Sequence, residues 1–350
     1  MKTLIIPCAG KSNRFPNMKP KWMLTHPDGQ LMIEKALQGF DTASFDRIII
    51  TIVRPHIEKY EAELVLKQVF KNTKIELCIL DDFTASASET IMLTLDKMNV
   101  AGAFVIKDSD NRIYFDLPQK IGNCIVGYDL TKHPDVSNIP GKSFLIANEQ
   151  NIITDIVEKK IVSDMICLGV YAFENADDFR TAYREMHARR FDGEMYISHV
   201  ISYMLSKKDK VFYAIEATGY DDWGTLKEWK EVQRQCRTYF VDVDGVLMQN
   251  CGRYGSLNWY NNDKMLVENC AVIKRLQDEG AQIVITTSRT EEFRADLVER
   301  LARQGIHPYA IVMGMNHAAR VVVNDFAPTN PYPSGLAVTF PRNGNLKEYL

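Results

Sequence analysis

The 350-residue sequence lacks the features that mark disulfide-rich, zinc-binding, exported and membrane-spanning proteins. Its seven cysteines are scattered without any C-x-x-C spacing, and its seven histidines show no metal-ligand spacing. An odd number of scattered cysteines predicts reduced thiols in a cytoplasmic protein, because a disulfide framework or a zinc site needs regular spacing. No signal peptide and no long apolar run is visible, so neither export nor membrane insertion is expected.

The chain also lacks a strong net charge, internal repeats and low-complexity tracts. Its formal net charge is −3, with 46% hydrophobic and 25% charged residues, which is typical of an ordinary soluble globular protein. This balance provides no general attraction to nucleic acid or to an anionic membrane, so any anionic ligand must be held by local cations. The length favours two domains over one.

Apolar runs alternate with helical patterns in the first third of the chain. The predicted strands are Leu4–Ile6, Arg47–Ile52 and Lys74–Leu80, and a helix is predicted over His56–Lys71. Such alternation indicates an α/β fold with a parallel, Rossmann-like sheet, whose ligands lie at the carboxyl ends of the strands. We therefore expect the segments 8–21, 81–90 and 108–111 to share one crevice.

The first strand opens into a short loop rich in small and cationic residues. These residues are Gly10, Lys11, Ser12, Asn13, Arg14, Lys19 and Lys21. A buried strand that delivers backbone N–H groups and positive charge is typical of a phosphate site, and a solvent-exposed basic loop is the alternative. The loop is not a Walker P-loop, because Ile5 stands where that motif needs a glycine.

The order Ala9, Gly10, Arg14, Pro20 and Lys21 resembles the signature loop of sugar-phosphate nucleotidyltransferases, the family that makes nucleotide-activated sugars, choline and related alcohols. The chain departs from that pattern at Ser12 and Asn13, where a second glycine and a threonine are common. The resemblance implies a mixed, mainly parallel nucleotidyltransferase sheet over residues 1–236. It implies that Arg14 holds the departing β,γ-phosphates and that Lys21 stabilises charge at the α-phosphate and the acceptor phosphate. It also implies that the nucleotide is bound by Ala9, Gly10, Lys11, Ser12 and Asn13.

A predicted strand at 103–106 ends in the acidic sequence Lys107-Asp108-Ser109-Asp110-Asn111. In the resembled family an aspartate at this place binds Mg²⁺, and Asp110 fits best, with Asp108 as a second candidate. The second carboxylate is expected from Asp222, which stands in a segment similar to the family's Asp-x-Gly-Thr element. Mg²⁺ accepts one or two protein carboxylates together with phosphate oxygens and water. A solvated turn at 108–111 is the alternative.

Further elements follow in the order that the resemblance implies. Ser86, Ser88 and Glu89 are expected near the nucleobase, although Ser86 and Glu89 also read as a capping box that begins a helix. The acceptor is expected to contact Asn111, Glu158, Lys159, Gly169 and Glu194. Taken singly, each of these residues is an ordinary surface charge or turn, and only their order favours a role in acceptor binding.

The pattern restarts after Cys236 with an apolar strand that runs into Asp242-Val243-Asp244-Gly245-Val246-Leu247. This sequence resembles motif one of the haloacid dehalogenase superfamily of phosphohydrolases and implies a Rossmann-like domain without a large cap over residues 237–350. In that resemblance Asp242 attacks phosphorus and Asp244 is the acid/base. An acidic pair at the end of a loop is the alternative. Without a cap the site would be open to solvent. It would therefore accept a bulky substrate, or a second subunit of a homo-oligomer would cover it.

Later segments match the order of the remaining motifs of that superfamily. Thr287 follows an apolar strand and is expected to contact the phosphate, and Asp325 follows the run Val321–Val323. Asp242, Asp244 and Asp325 would form a second Mg²⁺ site. The usual lysine is missing, because no lysine stands between Lys274 and Lys347, and Arg320 is the cation nearest to the last motif. Either Arg320 substitutes for that lysine as a catalytic cation or the domain is slow or inactive, since arginine and lysine are not equivalent at such a site.

The sequence therefore predicts a bifunctional enzyme with one Mg²⁺ site in each domain. The first domain would transfer a nucleotidyl group from a nucleoside triphosphate to a small phosphorylated sugar, polyol or amino alcohol, with CTP favoured because the first loop is short and the domain compact. The second would hydrolyse a phosphate monoester, and both would serve capsule or surface polysaccharide precursor synthesis. The alternatives are a catalytically silent second domain and a non-catalytic nucleotide sensor. Neither nucleic acid nor membrane is expected as a partner.

Overall fold

The computed structural model describes residues 2–116, 118, 120–134, 136, 138–189, 193–207, 210–253, 256–260, 264–325 and 334–350. The chain divides into two compact units, Met1–Glu228 and Trp229–Leu350. This division falls inside the helix Leu226–Gln235, whereas the sequence suggested a boundary after that helix, near Cys236. Among the described residues, no helix is long and apolar enough to cross a membrane.

The larger unit is built on one extensive sheet and a small two-stranded ribbon. Its strands are β1 Thr3–Pro7, β2 Arg47–Val53, β3 Glu76–Leu80, β4 Phe104–Lys107, β5 Asn111–Tyr114, β6 Cys124–Asp129, β7 Ser143–Ala147, β8 Ile152–Glu158, β9 Met165–Phe173, β10 Phe212–Glu216 and β11 Gly219–Asp222. Nine of them form the main sheet in the order β3-β2-β1-β4-β9-β6-β10-β8-β7, and β5 pairs with β11.

The main sheet is mixed, as predicted, but it is not mainly parallel. The strands β3, β2, β1 and β4 are parallel neighbours, which gives the Rossmann-like half expected from the sequence. From β9 onwards the pairing is antiparallel except between β6 and β10. The physical reason is connectivity: β7 and β8 are joined by a short turn, and a short turn can only connect antiparallel strands.

The helices of the larger unit are α1 Met32–Leu37, α2 Arg54–Tyr60, α3 Ala62–Val69, α4 Ala87–Lys97, α5 Ala176–Ala188 and α6 Ile197–Ser206, and a 3₁₀ turn spans Lys21–Met23. The next helix, α7 Leu226–Gln235, contains the division between the two units. The single helix predicted over His56–Lys71 is divided into α2 and α3. Glu61 separates them because its backbone lies in the left-handed region at φ 52°.

Alternate residues of the parallel strands enter two separate hydrophobic clusters. Ile5 and Ile49 belong to one cluster, and Leu4, Ile6 and Ile50 belong to the other. Successive side chains of a strand point to opposite faces of the sheet, so a strand that is apolar at every position is buried on both faces. This double burial fixes the sheet and therefore the positions of the loops that leave its carboxyl end.

The ribbon of β5 and β11 joins two segments that are far apart in sequence. Asp222 pairs with Asn111, and Asp221 pairs with Arg112 across the antiparallel ribbon. An ion pair reinforces this register, since Arg112 Nη2 lies 2.7 Å from Asp221 Oδ2. The backbone N–H of Trp223 donates to the carbonyl of Asp110 at 2.9 Å. The ribbon thereby brings Asp222 beside the end of β4.

The smaller unit contains a parallel sheet of β12 Thr238–Asp242, β13 Gln282–Thr286 and β14 Ala310–Val312 in the order β12-β13-β14. Its helices are α8 Ser256–Trp259, α9 Val267–Asp278 and α10 Arg294–Arg303. A separate hydrophobic cluster, which includes Val241, Ile283 and Leu297, fills this unit. The register pairs Asp242 with Thr286 at the carboxyl end of the sheet.

The strand expected at Val321–Val323 is not formed. In the described part of the chain these residues make no strand pairing, and Val321 and Val323 are 81% and 89% exposed. Three consecutive valines have high strand propensity, but propensity alone does not make a strand without a neighbour that accepts its backbone hydrogen bonds. Asp325, which was expected at the end of that strand, is exposed.

We expect Phe173→Ala in β9 to destabilise the larger unit by about 3–5 kcal/mol, the usual cost of removing a fully buried aromatic ring. Phe173 is 0% exposed, stacks on Phe104 with ring centroids 4.9 Å apart and meets Phe179 edge-on at 5.2 Å. Urea unfolding of the full chain, followed by far-UV circular dichroism, measures the loss. The matched control is Leu64→Ala, because Leu64 is 62% exposed and should change little. Equal effects of the two substitutions would contradict the placement of Phe173.

Candidate active site

A cavity of about 980 Å³ lies at the carboxyl end of the parallel strands of the larger unit. The loop after β1, the start of α4, the turn between β4 and β5, the β7–β8 hairpin ends and the end of β11 all contribute to its lining. The segments that were expected to share one crevice therefore do so. The cavity-lining residues among those predicted are Gly10, Lys11, Ser12, Asn13, Arg14, Lys21, Ser86, Asp110, Asn111, Glu158, Lys159, Gly169, Glu194 and Asp222.

The loop after β1 folds back so that its two ends meet. Ser12 adopts the left-handed backbone conformation at φ 53°, and its hydroxyl accepts the backbone N–H of Lys21 at 3.2 Å. This contact brings Lys21 to the same cavity as Lys11 and Arg14, which are both exposed along the loop. The loop thus presents three cations to one space, as a site for a polyphosphate requires.

Asp110 and Asp222 converge on a small space above Gly224. A Cβ atom built on Gly224 would lie 3.1 Å from Asp222 Oδ1 and 3.4 Å from Asp110 Oδ2, with Arg14 Nη1 at 3.9 Å. The backbone N–H of Gly224 itself donates to Asp222 Oδ1 at 3.0 Å. Two carboxylates from distant parts of the sequence therefore face one another beside Gly224, where a side chain would crowd them.

Each of these carboxylates is paired with a lysine. Lys21 donates to Asp110 and Lys142 donates to Asp222, both in very short contacts. Burial alone would raise the pKa of the Asp110 carboxyl, but Lys21, Arg14 and Lys142 together lower it to about 2. Asp110 is therefore an anion at any physiological pH.

The donor set at this position fits Mg²⁺. Mg²⁺ takes one or two protein carboxylates and completes its octahedron with phosphate oxygens and water, so Asp110 and Asp222 supply the protein's full share. Among the described residues, no third carboxylate, histidine or cysteine joins them to form a protein-only metal cage. The lysines meanwhile supply the positive charge that two neighbouring buried carboxylates need.

A buried lysine lies beneath the acidic turn. Lys107 is 0% exposed and donates to the backbone carbonyls of Asp108, at 2.7 Å, and Asn111, at 2.9 Å. Its burial lowers the pKa of the ammonium to about 8. The side-chain amide of Asn111 also donates to the carbonyl of Leu168 at 3.0 Å. Lys107 and Asn111 therefore hold the backbone of the turn that presents Asp110.

Gly169 leaves room for the carboxylate of Asp108. A Cβ atom on Gly169 would lie 2.1 Å from Asp108 Oδ2, and the backbone of Gly169 has φ +77°, which side chains other than glycine rarely adopt. Burial, and then the charge of Asp110, raise the pKa of the Asp108 carboxyl to about 6. The role of Gly169 shown by this packing is to make space, while the acceptor contact predicted for it stays a prediction.

The hairpin of β7 and β8 forms the far wall of the cavity. Glu158 accepts hydrogen bonds from the hydroxyls of Ser143 and Ser198, the latter at 2.6 Å. Lys159 donates to the hydroxyl of Tyr196, and its Nζ lies 4.1 Å from the centre of that ring. Glu194 is exposed at the same wall. Carboxylates, an ammonium group and an aromatic face thus lie where an acceptor was expected.

Three predicted nucleotide contacts lie outside the cavity lining. Ala9 is buried in the core, and the hydroxyl of Ser88 is fully buried and donates to the carbonyl of Met195. Glu89 accepts the backbone N–H of Ala85 at 2.6 Å. The hydroxyl of Ser86 accepts the N–H of Glu89 at 3.2 Å, so this segment primarily begins α4. Of the residues expected near the base, Ser86 alone lines the cavity.

The smaller unit brings Asp242 and Arg320 together. Arg320 Nη2 lies 3.7 Å from Asp242 Oδ1, and burial raises the pKa of the Asp242 carboxyl, which remains 43% exposed. Thr287 is 0% exposed, and its hydroxyl accepts the backbone N–H of Arg289 at 3.1 Å. Asp325 is exposed and follows no strand, and no group of three metal-ligating side chains forms among the described residues, so nothing in this unit supports the predicted second Mg²⁺ site.

Asp244 is not free for acid/base chemistry in this structure. The fully buried Arg289 donates to both of its carboxylate oxygens, at 2.7 and 3.0 Å, and the side-chain amide of Asn258 donates at 3.1 Å. A bidentate guanidinium–carboxylate pair is among the stronger ion pairs and favours a structural role. Arg289 was missed as a partner because the motif pattern of the sequence directs attention to Thr287, two residues earlier.

Lys142 and Tyr220 are the main cavity residues that the sequence did not suggest. Lys142 stands alone in a loop without a motif, and no periodicity or spacing distinguishes it from a surface lysine. Tyr220 was visible only as a neighbour of Asp222. Its hydroxyl accepts a hydrogen bond from Lys142 at 2.7 Å, and burial raises its pKa well above the usual range.

The fold of the larger unit is that of nucleotidyltransferases. A nucleoside-diphosphate-sugar pyrophosphorylase from Vibrio cholerae RC9 superposes with a TM-score of 0.56 at 21% identity, over 66% of this chain and 99% of that chain. A UDP-glucose pyrophosphorylase complexed with UDP-glucose superposes with a TM-score of 0.50 at 16% identity, over 66% of this chain and 97% of that chain. An inositol-1-phosphate CTP transferase from T. maritima superposes with a TM-score of 0.50 at 11% identity, over 67% of this chain and 95% of that chain. These likenesses concern the N-terminal part of the chain.

Comparison of the amino-acid sequence with protein families and curated proteins identifies no relative. No family model matches the chain, and no curated protein matches it. The likeness to solved structures is at low identity and concerns the fold, so the functional assignment depends on the residues in the cavity.

We expect Asp108→Asn to stabilise the larger unit at neutral pH and to have little effect near pH 4. The pKa of Asp108 is raised from 3.8 to about 6, so the folded state binds this proton more tightly than the unfolded state does. The wild type therefore loses stability as pH rises from about 4 to about 6, and the variant, which has no proton to lose, avoids a loss of about 1–3 kcal/mol. Urea titrations of both proteins between pH 4 and 8 measure the difference. A constant difference across that range would contradict the raised pKa.

Proposed function

We propose that the larger unit transfers a nucleotidyl group from a nucleoside triphosphate to a small phosphorylated sugar, polyol or amino alcohol and releases pyrophosphate. The observation that carries this proposal is the convergence of Asp110 and Asp222 above Gly224, in the same cavity as Lys11, Arg14 and Lys21. The carboxylate pair supports a divalent cation, and the cations support a polyphosphate.

The proposed reaction needs positioning and charge neutralisation more than proton transfer. An acceptor phosphate already carries the negative charge of a nucleophile, so no general base is required, and the difficulty is to bring two anions together. Arg14 would hold the β,γ-phosphates that depart, and Lys21 would stabilise the charge that develops at the α-phosphate. Mg²⁺ held by Asp110 and Asp222 would supply Lewis-acid charge at the phosphate oxygens.

The rest of the cavity supports a division into a nucleotide end and an acceptor end. The loop after β1 and Ser86 would bind the nucleotide, with Gly10, Ser12 and Asn13 donating from backbone and side chain. Glu158, Lys159 and Glu194 lie at the opposite wall and would contact the acceptor. CTP as the preferred nucleotide and a role in capsule or surface polysaccharide synthesis stay predictions from the sequence.

Phosphate-monoester hydrolysis by the smaller unit is a separate proposal. The half-exposed Asp242 beside Arg320 favours it, because a nucleophilic carboxylate next to a cation is what a phosphoenzyme mechanism needs. The bidentate bond of Asp244 to Arg289 favours the alternative, a catalytically silent structural unit. If Asp242→Asn leaves every phosphatase activity of the full chain unchanged, the silent unit is the better description.

We expect pyrophosphate release when the full chain is incubated with Mg²⁺, one nucleoside triphosphate and one acceptor phosphate from a panel of sugar, polyol and amino-alcohol phosphates. Asp110→Ala and Asp222→Ala should each lower the rate by about 100-fold or more, because each removes a ligand from the charge-neutralising centre. A coupled assay of pyrophosphate provides the rate for each pair of substrates, and the active pair identifies both the base and the acceptor.

The matched control is Asp81→Asn. Asp81 is exposed, pairs with Arg54 and does not line the cavity, so its loss should leave the rate within about twofold of the wild type. If the protein binds the triphosphate but releases pyrophosphate with none of the substrate pairs, the alternative of a non-catalytic nucleotide sensor is favoured. Release that survives both Asp110→Ala and Asp222→Ala would contradict the proposed centre.

A further inference from the structure

Lys142 bridges the two walls of the cavity. It stands immediately before β7, yet its ammonium group reaches the end of β11, where it pairs with Asp222 and donates to the hydroxyl of Tyr220 at 2.7 Å. Its side chain is only 13% exposed, and its Nζ lies 5.2 Å from the centre of the Tyr220 ring. A lysine this enclosed beside a proposed metal ligand is not a surface charge.

A short 3₁₀ turn and one backbone hydrogen bond hold the segment that carries Lys142. Asn138 has a left-handed conformation at φ 54° and begins a 3₁₀ turn, Ile139–Gly141. A Cβ atom on Gly141 would lie 2.9 Å from the side-chain amide of Asn138, so a larger residue there would displace that amide. The carbonyl of Lys142 accepts the backbone N–H of Lys159 at 3.0 Å. The backbone of Lys142 is thus tied to the end of β8, and the ammonium group lies at the end of a flexible four-carbon stem.

The two carboxylates above Gly224 carry one lysine each. Lys21 neutralises Asp110, and Lys142 neutralises Asp222. Asp222 Oδ1 and Asp110 Oδ2 face the space above Gly224, whereas Lys142 contacts the other oxygen of Asp222, Oδ2. A divalent cation bound by both carboxylates would draw on the same negative charge of Asp222 that now holds Lys142. Its binding would therefore weaken the ion pair of Lys142 inside a cavity, where an ammonium group without an anion is costly.

We propose that Lys142 is the residue that binds the phosphate of the acceptor, and that its ammonium exchanges Asp222 for this phosphate when a divalent cation binds. This inference rests on the proposed nucleotidyl transfer and assigns a residue to its acceptor end, because an ammonium group placed for such an exchange suits an acceptor that is a phosphate monoester and not a free alcohol. Lys159, whose N–H binds the carbonyl of Lys142, lies beside it at the acceptor wall. The two lysines together would hold the nucleophilic phosphate against the carboxylate pair.

Binding of Mn²⁺ and phosphate tests this exchange without reference to turnover. The variant is Lys142→Met in the full chain, and the matched control is Lys132→Met. Lys132 also pairs with a carboxylate, Glu216 at 2.6 Å, but it is exposed and does not line the cavity. In electron paramagnetic resonance titrations without any substrate, Lys142→Met should bind Mn²⁺ about threefold or more tightly than the wild type, because the competing ammonium is gone. Lys132→Met should match the wild type.

A second measurement uses inorganic phosphate as the probe, with Mn²⁺ and tripolyphosphate present to fill the nucleotide end. Enzyme-bound Mn²⁺ broadens the ³¹P signal of inorganic phosphate that binds beside it, so the broadening reports phosphate binding. We expect Lys142→Met to bind inorganic phosphate about tenfold or more weakly than the wild type, the loss expected for one charge-assisted hydrogen bond. Lys142→Arg keeps the charge and should recover part of the affinity. Unchanged thermal melting of the variants separates this loss from misfolding.

The outcomes separate this inference from the proposed function. Tighter Mn²⁺ binding and weaker phosphate binding in Lys142→Met would support the exchange, even if no substrate pair released pyrophosphate and the proposed transfer failed. Pyrophosphate release by the wild type, with unchanged Mn²⁺ and phosphate binding in Lys142→Met, would overturn the role of Lys142 and leave the transfer intact. Weaker Mn²⁺ binding in that variant would also overturn it, because the ammonium would then support the metal site and not compete with it.

Discussion

The two-stranded ribbon of β5 and β11 is the constraint on which the candidate site depends. It pairs Asp222 with Asn111 and binds the N–H of Trp223 to the carbonyl of Asp110, so two carboxylates from distant parts of the sequence share one small space. The ion pair of Arg112 with Asp221 holds the same register. A slip of one residue along this ribbon would turn Asp222 to the opposite face, because successive side chains alternate. The sheet supports the ribbon from beneath, since β5 follows β4 directly through the acidic turn.

Charge balance is the second organising feature of the site. Buried carboxylates are costly unless they are paired, and here each meets a lysine from a different loop. Lys107 adds a third ammonium group beneath the turn, where it donates to the carbonyls of Asp108 and Asn111 and to the side-chain oxygen of Asn111, so it holds the turn that presents Asp110. The charge of the two carboxylates is therefore balanced by lysine side chains from two loops.

The sequence predicted those parts of this site whose residues stand in short, local sequence motifs. The apolar run before Gly10, the cations Arg14 and Lys21, and the acidic turn at Asp110 all lie where short-range periodicity and motif order indicated. Lys142 could not be predicted, because its role depends on a contact across the cavity with Asp222 and its neighbours form no pattern. The family resemblance placed the hydroxyl of Ser88 near the nucleobase. In the structure this hydroxyl is buried at the start of α4 and donates to the carbonyl of Met195. In the smaller unit, the valines at 321–323 show that strand propensity does not replace a pairing partner.

The central claim is that Asp110 and Asp222 jointly hold a divalent cation, and a crystal of the full chain grown with Mn²⁺ and a nucleoside triphosphate tests it most directly. Anomalous scattering locates Mn²⁺ without assumptions about its ligands. We expect one strong peak in the larger unit, within about 2.0–2.3 Å of an oxygen of each carboxylate and of phosphate oxygens, as hard divalent cations require. A peak bound by neither aspartate, or triphosphate bound in the cavity without any peak between them, would contradict it.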